Sequence, residues 1–105
     1  MLIAAALIEL HLAEADSIKA KRRVVRAVRD RVTSRFRISV AEVADQDDRH
    51  SICIGCAKVG IDARDLRASM EKVIRYVDEL GLAELVGDDV IVAQLDEFEP
   101  VEDGA

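Results

Sequence analysis

SIKAKRRVVRAVRDRVTSRF, residues 17–36, carries a helical period between two segments that do not. Ile18, Val25, Val28 and Val32 recur at the three-to-four spacing that lines side chains along one side of a helix. At about 100° per residue, Lys19, Arg22, Arg23, Arg26 and Arg29 fall in an arc on the other side, a polar and positive face. Ser17 is placed to cap the N-terminus by accepting a free backbone N–H. Lys21 lies near the apolar side, so its stem is expected to cover the core while its amine reaches water.

Working outward, residues 2–12 read as a strand. Ile8, Leu10 and Leu12 share one face, and Glu9 and His11 point the other way. AEAD, residues 13–16, connects that strand to the basic helix. Beyond the helix, Ile38, Val40 and Val43 favour a second strand, although these apolar residues do not all share one face. DQDDRH, residues 45–50, is a polar connection. SICIGCAKVGI, residues 51–61, then makes a third strand, with Gly55 marking a bulge or a close packing point.

Asp62 is the expected N-cap of a second helix, DARDLRASMEKVIRYVDEL, which Gly81 terminates. Its apolar face is Leu66, Met70, Val73, Val77 and Leu80, with Ile74 near the margin. The pairs Arg67–Glu71, Glu71–Arg75 and Arg75–Glu79 have the four-residue spacing of surface ion pairs. A fourth strand has its best segment at Val90–Leu95, with pairing from around Leu85 and Val86 and a turn or bulge at Asp88 and Asp89. The order β-α-β-β-α-β specifies an α+β, ferredoxin-like sandwich: a four-stranded antiparallel sheet with two helices on one face. One domain is expected over residues 1–99, followed by a short acidic tail over 100–105.

A chain of 105 residues is long enough for one real core, and half of it is apolar. That core is aliphatic, because the aromatics are only Phe36, Tyr76 and Phe98. The net charge of -6 is unevenly spread: residues 1–61 carry 11 Lys or Arg against 8 Asp or Glu, and residues 62–105 carry 4 against 13. Net acidity argues against nonspecific nucleic-acid coating, and no DNA partner is expected; a local basic field still attracts phosphates. MLIAAALIEL, at the start, lacks a positive leader region and is too short to span a bilayer, so a cytoplasmic location without a membrane partner is expected.

Four pieces of this sequence stand in a telling order: Ile8-Glu9-Leu10-His11-Leu12, Ser17-Ile18-Lys19-Ala20-Lys21-Arg22-Arg23, Val40-Ala41-Glu42-Val43, and Gln46-Asp47. In this the chain resembles the YlxP-like family of small bacterial proteins, long classed as a domain of unknown function. The resemblance implies a ferredoxin-like fold and, because such proteins are often encoded near translation and ribosome-maturation factors, work on RNA or the ribosome. The loop departs from the family's common pattern. Asp45 stands where a His is frequent, Ala44 where an Asp is common, and Arg49 where a Trp is frequent.

The leading expectation is a noncatalytic protein that binds ribosomal RNA or a ribosomal precursor through Lys19, Arg22, Arg23, Arg26 and Arg29, with Gln46, Asp47 and Arg49 adjusting orientation. The alternative is a homodimer or other protein-binding module using the open sheet face around Leu7, Cys53 and Val59, with no direct RNA contact. Base stacking on the sheet is disfavoured, since its strands offer no aromatic platform. Glu9, His11, Glu42, Asp45, Asp47 and His50 supply the residue types of a catalytic or metal site, but a solvated connection accounts for them more simply. Cys53 and Cys56, three apart on a strand, face opposite sides and lack a second cysteine pair. No catalytic residue, metal or cofactor is assigned.

Overall fold

In the computed structural model, which describes residues 1–101, the period-two pattern of the first strand sets the inner layer. Ala4, Ala6, Ile8 and Leu10 of β1 (Leu2–His11) are at most 4% exposed. α1 (Ile18–Phe36), β2 (Ser39–Ala44), β3 (Ser51–Gly60), α2 (Ala63–Leu80) and β4 (Glu84–Gln94) follow, closed by a 3-10 turn at Leu95–Glu97. The strands lie in the order β2-β3-β1-β4, and every neighbouring pair is antiparallel. Both helices cover one face, giving the ferredoxin-like α+β architecture. The acidic end expected over 100–105 lies outside the described residues after Val101.

Two apolar stripes meet the sheet. Val25, Val28 and Val32 of α1 and Leu66, Met70, Val73, Ile74 and Val77 of α2 join Ile52, Ile54 and Cys56 of β3 and the inner residues of β1 in a single core. Both predicted N-caps are made: Ser17 Oγ accepts from the Ala20 N–H at 3.1 Å, and Asp62 Oδ1 from the Asp65 N–H at 3.0 Å. Gly81 ends α2 at φ 64°, the left-handed conformation that suits glycine. At the far end of α1, Phe36 meets Tyr76 edge to face at 5.4 Å, and the Arg35 guanidinium lies 4.9 Å from the Tyr76 ring centre.

Two local expectations are corrected, and of the two roles expected for Gly55 one holds. The irregularity in β4 is not at Asp88 and Asp89, which pair regularly with Ile8 and Leu7; Val86 is the extra residue, between Leu85 opposite Leu10 and Gly87 opposite Glu9. A Cβ on Gly87 would stand 2.5 Å from Glu9 Oε2, the mobile end of an exposed side chain, so a larger residue there needs that carboxylate to swing aside. Gly55 is the close packing point and not itself a bulge. The bulge lies across from it in β2, between Glu42 and Ala44, and it goes with Val43 lying 2.9 Å from where a Gly55 Cβ would be. The outer surface of α2 does not use its three predicted ion pairs: among the described residues, the ion pairs are Lys21–Glu42 and Arg29–Asp30. Exposed i,i+4 pairs gain too little to hold two long side chains in place.

Met70 is fully buried where α2 faces the sheet, and Met70→Ala is expected to lower stability by about 2–5 kcal/mol. Ile61→Ala, at a position 95% exposed, is expected to change it by less than about 0.5 kcal/mol. Urea denaturation of both variants checks the pair of values.

Candidate functional site

The first turns of α1 lie beside the β2–β3 connection, and Lys21 joins them. Its side chain is 1% exposed, and Nζ donates to the carbonyl oxygens of Asp45 and of Asp48, the latter at 2.6 Å. Glu42 Oε2 is 3.2 Å from the same nitrogen, as an ion pair without hydrogen-bond geometry. The expectation that this amine reaches water is therefore overturned. Asp45 takes a left-handed conformation, φ 60°, and so turns the chain to bring two carbonyls within reach of a lysine that would otherwise have to leave the core. The signal was in the spacing: Lys21 stands four, seven and eleven residues before Val25, Val28 and Val32, on the apolar stripe itself.

The rest of the connection is held by Asp48. Its carboxylate accepts from the His50 N–H at 2.9 Å and the Ser51 N–H at 3.2 Å. The His50 hydrogen bond is the main reason its carboxyl titrates below the ordinary aspartate value. His50 Nδ1 lies 2.9 Å from the Leu12 carbonyl oxygen, an acceptor only, so Nδ1 carries the proton; Nε2 then accepts from Arg49 Nε at 3.3 Å.

These bonds decide how the sequence candidates group. Arg22, Arg26 and Arg29 line one depression of about 360 Å³ between α1 and β2, together with Glu42 and Gln46. Lys19 and Arg23, exposed on the same helix, do not line it. Asp47 and Arg49 line a separate hollow with Ile18, Asp48 and His50, and Gln46 borders both.

The six acid–base candidates do not converge. Glu42 and the backbone of Asp45 face Lys21; Glu9 lies over Gly87 on the other side of the sheet; His11 stacks on His50 at 6.1 Å. Both nitrogens of His50 are occupied, and no group of three metal-ligating side chains forms among the described residues.

The sheet face away from the helices is apolar. Along β1 the residues alternating with the core set are Ile3, Ala5 and Leu7, and their partners in register are Val59, Ala57 and Gly55 of β3, and Ala93, Ile91 and Asp89 of β4. Leu7, Val43, Val59 and Ile91 are 36%, 53%, 59% and 53% exposed. Leu7, Val43 and Ile91 line a trough of about 460 Å³ together with small residues including Ala5, Ala41, Gly55 and Ala57. Of the three residues proposed for this face, Leu7 and Val59 offer free surface. Cys53 is 6% exposed and offers little. Cys56 points into the core on the opposite side, where burial pushes its thiol up to about 11, and burial likewise raises that of Cys53.

A four-stranded sheet with both helices on one face, an open apolar surface on the other and an arginine-lined groove at one edge defines a small ferredoxin-like domain. Residues 3–89 match the family described as protein of unknown function (DUF503), and the chain belongs to that family. It is 28% identical over 65 residues to the uncharacterized protein YlxP of Bacillus subtilis (strain 168), covering 62% of this chain and 71% of that protein. Among solved structures, it superposes with a TM-score of 0.53 on a candidate antibiotic biosynthesis monooxygenase from Chloroflexus aurantiacus J-10-fl, at 14% identity over 88% of this chain and 93% of that one. A dimeric ferredoxin-like protein of unknown function from Bacteroides fragilis NCTC 9343 gives a TM-score of 0.48 at 9% identity, over 90% and 96%. The Chloroflexus likeness speaks to the fold alone. No helix among the described residues is long and apolar enough to cross a membrane.

The Asp48 carboxyl titrates lower in the folded chain than in the unfolded one. Its hold on the loop is thus in full force above the ordinary carboxylate range and is lost as the pH falls through its folded value. The amide resonances of His50 and Ser51 are expected to report that titration in acid, and Asp48→Asn is expected to abolish it.

Proposed function

We propose that this protein is a noncatalytic binding module that pairs with a second copy of itself through the open face of its sheet. The apolar trough of that face supports the reading most directly, because exposed apolar surface of this extent marks an interaction site. Strands of ten, six, ten and eleven residues at ~3.3 Å per residue, about 4.8 Å apart, span ~600 Å² of plane. Two such faces bury ~1,200 Å², the lower end of what a specific interface needs. A second copy suits the surface: the Leu7 and Ile91 ridge beside a trough of Ala5, Gly55 and Ala57 offers a projection and a recess to an identical sheet, and two twisted sheets pack face to face about 10 Å apart.

A second reading is an anionic partner on α1, such as ribosomal RNA or a ribosomal precursor. It is favoured by Arg22, Arg26 and Arg29 opening on one groove. The two readings are compatible in space, since α1 and the open sheet face lie on opposite sides of the sheet.

Light scattering over a concentration series is expected to give the mass of two chains for the wild type. The double variant Leu7→Lys, Ile91→Lys is expected to give one, with an unchanged circular dichroism spectrum, because both side chains are already exposed in the single chain. A wild type that stays monomeric up to millimolar concentration contradicts the pairing.

A further inference from the structure

We infer that pairing through the open sheet face is gated by protonation of Asp89, so that two copies take up protons as they join; this deepens the proposed pairing and rests on it. Asp89 is the one charged residue lining the apolar trough, and Ser39 brings the one hydroxyl. In register it stands beside Leu7, in a row that continues through Gly55 to Ala41. Side chains of one such row share a face, so this carboxylate stands among carbon. It is exposed in the single chain and forms no ion pair among the described residues. Water serves it.

A second copy displaces that water and brings no lysine or arginine in its place. The four strands hold one basic residue, Lys58, and it lies on the helix side, where its ammonium donates to Ser69 Oγ of α2 at 3.2 Å. Arg37 and Arg49, in the connections before and after β2, line no part of the trough. The other ionisable side chains on the open face are Glu9, His11, Cys53 and Glu84. Glu9 stands diagonal to Asp89, over Gly87 and outside the trough, and Cys53 is nearly buried. His11 and Glu84 oppose each other about 13 Å further along the strands, with His11 stacked on His50, and the Met1 amino group lies about 20 Å the other way.

An identical face presents the same groups, so Asp89 would exchange water for carbon with no cation to offset its charge. A charged carboxylate resists that exchange, whereas a neutral carboxyl is covered as an ordinary small polar group. The paired state therefore favours the protonated form, and by linkage pairing strengthens as the pH falls toward the carboxylate range and weakens as it rises. A twofold pair buries the residue twice, once from each copy.

The test is sedimentation equilibrium of the full chain at about pH 7.5 and about pH 5.5, with the variants Asp89→Asn, Glu9→Gln and His11→Gln. The wild-type dissociation constant of the pair is expected to fall at least about tenfold between the two conditions. Asp89→Asn is expected to pair at the higher pH as tightly as the wild type does at the lower, with less than about twofold change between them, while melting like the wild type because the position is exposed. Glu9→Gln and His11→Gln are expected to keep the wild-type dependence. Equal wild-type pairing at both pH values overturns the proton gate and leaves the pairing itself standing. A monomer at both overturns the two together. A dependence that survives Asp89→Asn and disappears in Glu9→Gln or His11→Gln overturns Asp89 as the gating group.

Discussion

Lys21 donates from inside the protein to two carbonyls of one loop, and that end of the molecule depends on those bonds. An amine at 1% exposure is tolerable only if its hydrogen bonds are met, and the chain from Glu42 to Asp48 is shaped to meet them. A bulge shifts the β2–β3 ladder between Glu42 and Ala44, the left-handed Asp45 reverses the direction, and Asp48 closes the loop against the backbone of His50 and Ser51. One consequence is that Gln46 is held beside the arginines of α1. Another is that Glu42 keeps its carboxylate at the groove wall with its charge offset. The same contact thus serves as a packing device and as the frame of a charged surface.

The second constraint is the sheet. In β1 the inward set, Ala4, Ala6, Ile8 and Leu10, meets the helices, yet the outward set Ile3, Ala5 and Leu7 is apolar as well. Solvent needs no such surface. A sheet with one wet face alternates apolar with polar residues, and here that alternation returns only toward the end of β1, at Glu9 and His11. The helices cover one face and leave the other apolar and uncovered. Placing the charges of α1 on the far side keeps that face free of them.

The sequence made the helices legible because their determinants are local. A stripe at three-to-four spacing, a Ser or Asp at the N-cap and a Gly at the C-cap act within a few residues, and Ser17, Asp62 and Gly81 all do what their types predict. The topology followed from the order of those elements. Register did not, because the extra residue Val86 shows itself only in how β4 pairs with β1, between strands more than seventy residues apart. Lys21 is legible only in part: its spacing puts it on the apolar stripe, but the acceptors that let its amine stay indoors come from a loop two dozen residues away. The arginine arc was legible as charge, whereas its division into groove-lining Arg22, Arg26 and Arg29 and outlying Lys19 and Arg23 is a property of where β2 passes.

The most direct test is to observe the Lys21 ammonium in the free protein by nuclear magnetic resonance, with lysine ¹⁵N and carbonyl ¹³C labels. A slowly exchanging Nζ resonance showing couplings through hydrogen bonds to the carbonyl carbons of Asp45 and Asp48 is the predicted result. An Nζ signal that exchanges with solvent as fast as those of exposed lysines such as Lys19 and Lys72, with no such couplings, would contradict the anchored loop and the groove built on it.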